Sequence, residues 1–199
     1  MSYFIVVLIK FFFLLTPFFV VSMFLSMTRD LSGAERHKLA LRLTLAIILI
    51  CTILYFFGAT LFMVFGITEH SFRVGAGALL FLTAVSLVRG GEVVSPAEQE
   101  GDIAVVPLAI PVTVGPATTG ALLVMGADAK TSTETVLSFS ALCAAVLCVG
   151  GMLYAAAQVE RIIGRKGIVI LTKLTGLVLA ALSAQIAFTG AKRLWLQVE

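Results

Sequence analysis

The chain has 199 residues, 60% hydrophobic and 13% charged, whereas a soluble globular domain has roughly 45–50% apolar and about 25% charged residues. This excludes an ordinary water-soluble fold. The net charge of +3 is scattered singly along the chain, with none of the basic stripes that bind nucleic acid.

A bilayer core takes roughly 17–25 apolar residues per helix, and stretches of that kind fall at 4–27, 39–64, 72–88, 103–125, 136–157 and 168–188. Inside them the charged residues are Lys10, Arg42, Arg73 and Lys173, each toward a span end, from which a basic side chain can snorkel to the interface. The expected fold is all-α, a polytopic membrane protein of six transmembrane helices, with too little sequence left for a soluble catalytic domain.

In chain order, the first stretch has no basic region before it and no small-residue cleavage motif after it, so it reads as a span and not as a signal peptide. It carries Thr16 and Pro17 near its middle. The third begins with Gly75 and Gly77, which could serve helix packing or close approach to a broken helix. Residues 91–102, bracketed by Gly90 and containing Pro96 and four acidic residues, read as a flexible connecting loop between units 1–90 and 103–199. The fourth holds Pro107, Pro111, Gly115 and Pro116, too many breakers for a continuous helix. Ala141 and Ala145 in the fifth and Gly176, Ala180 and Ala184 in the sixth read as packing seams. Gln185 suits either a cavity wall or an interhelical hydrogen bond. Cys51, Cys143 and Cys148 lie within apolar stretches without metal-ligand spacing, so no metal or cofactor is expected.

Three spans on each side of the loop suggest an internal duplication. An offset of 100 aligns Arg73 with Lys173, Leu79 with Leu179, Leu82 with Leu182, Thr83 with Ser183, Ala84 with Ala184 and Gly90 with Gly190, and an offset of 94 places Pro17 on Pro111. Units of three spans must enter the membrane in opposite senses, giving two inverted three-helix repeats with broken first and fourth helices, a plan used by secondary transporters. Pro17 and Pro111 are expected to open two half-helices whose N-termini meet near the midplane, where free N–H groups and the positive dipole end suit a carboxylate. Hydroxyls gather at the same places: Thr16, Ser22 and Ser26, then Thr113, Thr118 and Thr119. Each could instead bond a carbonyl of its own helix.

None of the six stretches contains Asp, Glu or His, so a coupling proton or sodium ion would be held by backbone, hydroxyls, substrate or a loop residue. Nine basic residues fall on one face of the six-span arrangement and five on the other, so the positive-inside rule expects both termini outside.

The run Val105-Val106-Pro107-Leu108-Ala109-Ile110-Pro111 with Gly115-Pro116, together with Phe72-Arg73-Val74-Gly75-Ala76-Gly77 and Phe24-Leu25-Ser26-Met27-Thr28, resembles the MarC (UPF0056) family of integral membrane proteins over nearly the whole chain. The resemblance implies a six-span bacterial inner-membrane protein related to transporters of small neutral amino acids such as glycine and alanine. The family's first-span pattern, Asn-Pro-x-Gly-x-x-Pro, is matched only at Pro17; Thr16, Phe19 and Ser22 depart from it.

The expected function is a secondary transporter, for uptake or export, with substrate between the two breaks at Thr16, Pro17, Phe19, Ser22, Pro111, Thr113, Gly115, Pro116, Thr118 and Thr119. Its expected partners are the small neutral amino acid, the lipid bilayer, a coupling proton or sodium ion and further copies in a homo-oligomer, with no nucleic acid. The alternatives are a channel or exporter for another small solute and a non-transporting membrane scaffold. An enzyme is not expected: His37 and His70 fall on opposite faces and no nucleophile pairs with a base.

Overall fold

The computed structural model describes residues 2–90, 104–128 and 131–198; the acidic connecting loop expected at 91–102 lies outside them. Among the described residues the fold is entirely helical: α1 (Ser2–Leu14), α2 (Pro17–Met27), α3 (Gly33–Phe65), α4 (Glu69–Arg89), a π-helical segment (Ala104–Thr113), α5 (Pro116–Asp128), α6 (Ser132–Tyr154) and α7 (Ala156–Val198). Among the described residues five helices are long and apolar enough to cross a membrane: Tyr3–Met27 taken through its break, Gly33–Phe57, Glu69–Arg89, Ser132–Tyr154 and Ala156–Leu196. The expected fourth span is instead built of two pieces, of 10 and 13 residues.

Local chemistry sets the helix ends. Ser32 and Thr131 open α3 and α6 with capping boxes, their hydroxyls accepting from the N–H of Glu35 and Glu134 while each glutamate reaches back to the cap N–H. α3 therefore begins six residues before its apolar stretch and, at 33 residues, is about 50 Å long. That exceeds the roughly 30 Å hydrocarbon core, so its polar first turns stand at or beyond the interface. α7 is interrupted at Gly164, whose φ of 73° and ψ of 159° are open essentially to glycine alone, so 156–163 and 165–198 are separate rods.

α4 lies along α7, α1 on α6, the π-helical segment on α3, α2 on α7, and α5 on α3 and α4. The α4–α7 seam is antiparallel and close. A Cβ on Gly77 would stand 2.8 Å from that of Ala187, one on Gly176 would stand 3.0 Å from the Ala84 carbonyl, and one on Gly190 would stand 2.7 Å from the His70 carbonyl. Gly75, which the sequence could not separate from Gly77, faces open space. One buried cluster of Phe11, Leu15, Phe24, Leu43, Ile47 and Leu142, among others, joins both halves of the chain. The outer surface carries rows of exposed apolar side chains, such as Leu41, Leu45, Leu49 and Ile53 along α3, a surface suited to lipid.

Candidate functional site

The first break is a one-residue reversal. α1 ends at Leu14, Thr16 N–H donates to Phe13 O at 3.0 Å, and Thr16 itself stands in the left-handed region at φ 48°, ψ 54°, buried, with no capping bond from its side chain. Pro17 then opens α2, whose first helical bond runs from Val20 N–H to Thr16 O at 3.0 Å. Proline suits that place because a first-turn N–H would have no partner anyway.

The second break has the same ending and a different approach. Val114 N–H donates to Ala109 O, five residues back, at 2.9 Å, and the Thr113 hydroxyl donates to Leu108 O at 2.7 Å, so the chain arrives as a wide π turn. Gly115 follows, Pro116 opens α5, and Thr119 N–H donates to Gly115 O at 2.8 Å. The half-helix therefore starts at Pro116 and not at Pro111 as the sequence suggested. A proline has no N–H and crowds the preceding turn of an α-helix; with bonds running five back, Pro111 is carried inside the π segment and the chain does not restart there. Each break thus restarts on a proline, Pro17 and Pro116, 99 residues apart. The side chains of Pro111 and Pro116 lie outside what the structure describes.

The two breaks touch. The hydroxyl of Thr118, in the first turn of α5, donates to the carbonyl of Leu14 at 3.3 Å. That carbonyl is free because Thr16 and Pro17 end the α1 ladder. Thr113 follows the other option expected for hydroxyls, bonding its own helix, and Thr119 is half-buried.

The structure does not gather all ten predicted residues. Phe19 and Ser22 line a separate cavity of about 170 Å³ with Gly90, Thr172 and Lys173, and Ser22 with Ser26 and Arg29 also borders a second one of that size beside the exposed Glu160–Arg165 ion pair.

A cavity of about 280 Å³ runs between α1, α4, α5, α6 and α7. Each helix contributes one face: Tyr3, Val7, Lys10 and Leu14 from α1, Ala121, Val124, Met125 and Asp128 from α5, with Arg73, Gln185 and Thr189 opposite. Leu14 at its inner end is the residue whose carbonyl Thr118 holds, so the cavity reaches the breaks. Of the two roles open to Gln185, the cavity wall is the one it takes.

At the other end lies an ion triad that sequence reasoning missed. Arg73 is only 6% exposed and does not snorkel as expected: its Nε and Nη2 donate to Glu69 Oε1 at 3.0 and 2.5 Å, and Nη2 also donates to Asp128 Oδ1. A guanidinium can stay buried when carboxylates take its donors. Partial burial raises the Asp128 carboxyl above its ordinary range; Arg73 pulls it down and the neighbouring Glu69 charge pushes it up. The sequence signal was the i, i+4 pair Glu69 and Arg73 at one span end; Asp128, just past another span, gave none.

Similarity to known proteins covers almost the whole chain. The model of the MarC family of integral membrane proteins matches residues 1–195. The UPF0056 membrane protein YhcE of Escherichia coli K12 is 31% identical over 90% of this chain and 87% of its own. UPF0056 membrane proteins of Aquifex aeolicus and Methanocaldococcus jannaschii are each 30% identical, over 91% and 96% of this chain and 88% and 97% of theirs. No solved structure matches.

Proposed function

Because the chain belongs to the MarC family of integral membrane proteins, with several helices fit to cross a membrane, we propose that it is a secondary transporter of small neutral amino acids such as glycine and alanine, with its substrate bound where the two breaks meet. The observation that carries this reading is the Thr118–Leu14 hydrogen bond at the inner end of the 280 Å³ cavity. Two helix N-termini opened by proline, with their free N–H groups and positive dipole ends, stand at the junction that this cavity reaches.

An architecture of six spans in two inverted repeats belongs to the same proposal. The pairing of Pro17 with Pro116 brings the first-to-fourth offset to 99, beside the 100 of the third and sixth spans. At that offset the α5 face of the large cavity, Ala121, Val124, Met125 and Asp128, corresponds to Ser22, Leu25, Ser26 and Arg29, which border a cavity next to α7. The contacts pair in the same sense: α1 on α6 with the π segment on α3, and α2 on α7 with α5 on α4. One access route on each face of the membrane is what alternating access requires. Placement in the inner membrane with both termini outside completes the proposal, from the excess of basic residues near Arg29 and Arg165.

Counterflow in proteoliposomes tests it: unlabelled alanine is loaded inside and entry of labelled alanine and glycine is followed. Saturable accumulation is expected. A folded protein that exchanges no small neutral amino acid overturns the proposal, and unsaturable flux without counterflow identifies a channel.

A further inference from the structure

The charged groups around the 280 Å³ cavity balance to zero but are unevenly engaged. Arg73 and Asp128 line the cavity and pair with each other, while Glu69 stands behind Arg73 and holds it from the helix side. One guanidinium thus serves two carboxylates, leaving one negative charge over, and Asp128 is the more exposed of the two, at 42% against 28%. Lys10 lines the same cavity from α1, and among the described residues its ammonium has neither a hydrogen-bond nor an ion-pair partner. The cavity therefore presents an unengaged cation on one wall and an excess carboxylate charge on another, with the amide of Gln185 and the hydroxyl of Thr189 on a third.

We propose, building on the transport reading above, that Lys10 and Asp128 form a two-point site for a zwitterion: the substrate carboxylate binds the Lys10 ammonium and the substrate ammonium binds the Asp128 carboxylate, with Arg73 as a positioning residue that holds Asp128. Charge balance then selects the substrate. A ligand of net charge zero leaves the cavity neutral, whereas an acidic or basic amino acid adds a charge that no group lining the cavity compensates. Size selects in the same direction, since 280 Å³ lies below the roughly 300–1,000 Å³ of pockets for drug-sized ligands. Lys10 stands one turn of α1 before Leu14 and Asp128 at the end of α5 away from the break, so the site receives the zwitterion between the ion triad and the half-helix N-termini.

The test is equilibrium binding of labelled alanine to the purified full-length protein in lipid nanodiscs, with propionate and ethylammonium as competitors that each carry one of the two charges. Alanine is expected to bind the parent, and neither competitor to displace it. Lys10→Met should weaken alanine at least tenfold and make the protein accept ethylammonium; Asp128→Asn should weaken alanine at least tenfold and make it accept propionate. A gain of binding is a result that misfolding does not produce. Alanine held within twofold of the parent by both variants, or lost in both with no gain for either competitor, overturns the two-point site and leaves the transport reading standing. A gain in one variant alone overturns the role given to the other residue. A folded parent that binds neither glycine nor alanine overturns both readings.

Discussion

The Thr118 hydroxyl donates to the Leu14 carbonyl across 104 residues of sequence, joining the first turn of α5 to the last turn of α1. Both groups are buried, and the carbonyl has lost its helical partner to the reversal at Thr16. Leaving a buried acceptor unpaired costs about 1–3 kcal/mol. Thr118→Val, which keeps the shape and removes the donor, is expected to lower the thermal unfolding midpoint in detergent, while Thr118→Ser stays near the parent. Equal midpoints for Val and Ser would show that the bond contributes nothing.

Thr16 is the one non-glycine residue with positive φ among those described. A β-branched side chain is poorly suited to that region, at roughly 1–3 kcal/mol, whereas asparagine enters it readily. Thr16→Asn is therefore expected to raise the unfolding midpoint by an amount equivalent to about 1 kcal/mol. A lower midpoint would mean that the threonine methyl or hydroxyl makes a contact worth more than the strain.

Two glycines predict opposite outcomes. A Cβ on Gly126 would stand 2.0 Å from the Tyr55 carbonyl oxygen, a backbone atom that cannot turn aside. Gly126→Ala must push α5 off α3 and should cost at least the roughly 1–3 kcal/mol of ordinary overpacking. Gly75 meets nothing within 4 Å, so Gly75→Ala should be neutral or gain about 0.5–1 kcal/mol from helix propensity. Thermal melts of the two proteins side by side check this, and comparable losses in both would refute the packing assigned here.

What was legible in the sequence was local. The two breaks could be placed to within a few residues because a proline removes its own N–H wherever it sits, and helix identity followed from apolar stretches that only lipid tolerates. Which proline restarts the fourth stretch was not legible, because it depends on carbonyls bonding five back to Val114 and Thr113 and not four. The ion triad was hidden because Arg73 and Asp128 are 55 residues apart and each, taken alone, looks like an interface charge. Phe19 and Ser22 stand close to the first break in sequence, yet both line a separate cavity beside Lys173.

The count of membrane crossings turns on the stretch 104–128, and the contacts at its end give a directional expectation. Asp128 bonds Arg73 in the first turns of α4, and Ser138 near the start of α6 bonds the Tyr3 hydroxyl at 2.9 Å near the start of α1. These bonds put the start of α6 beside the starts of α1 and α4, and the proposed six-span architecture expects 104–128 to traverse the membrane. A re-entrant 104–128 would return the start of α6 to the face of Gly90. In a protein with Cys51, Cys143 and Cys148 replaced by serine, single cysteines at exposed positions separate the two cases. Ile67→Cys and Thr133→Cys should react with an impermeant maleimide from the same side. Asp30→Cys and Gln158→Cys should react from the other, which the proposed orientation makes the cytoplasmic one, accessible in inverted vesicles. Labelling of Ile67→Cys and Thr133→Cys from opposite sides would establish a re-entrant segment and, with an odd number of crossings left, remove the inverted repeat.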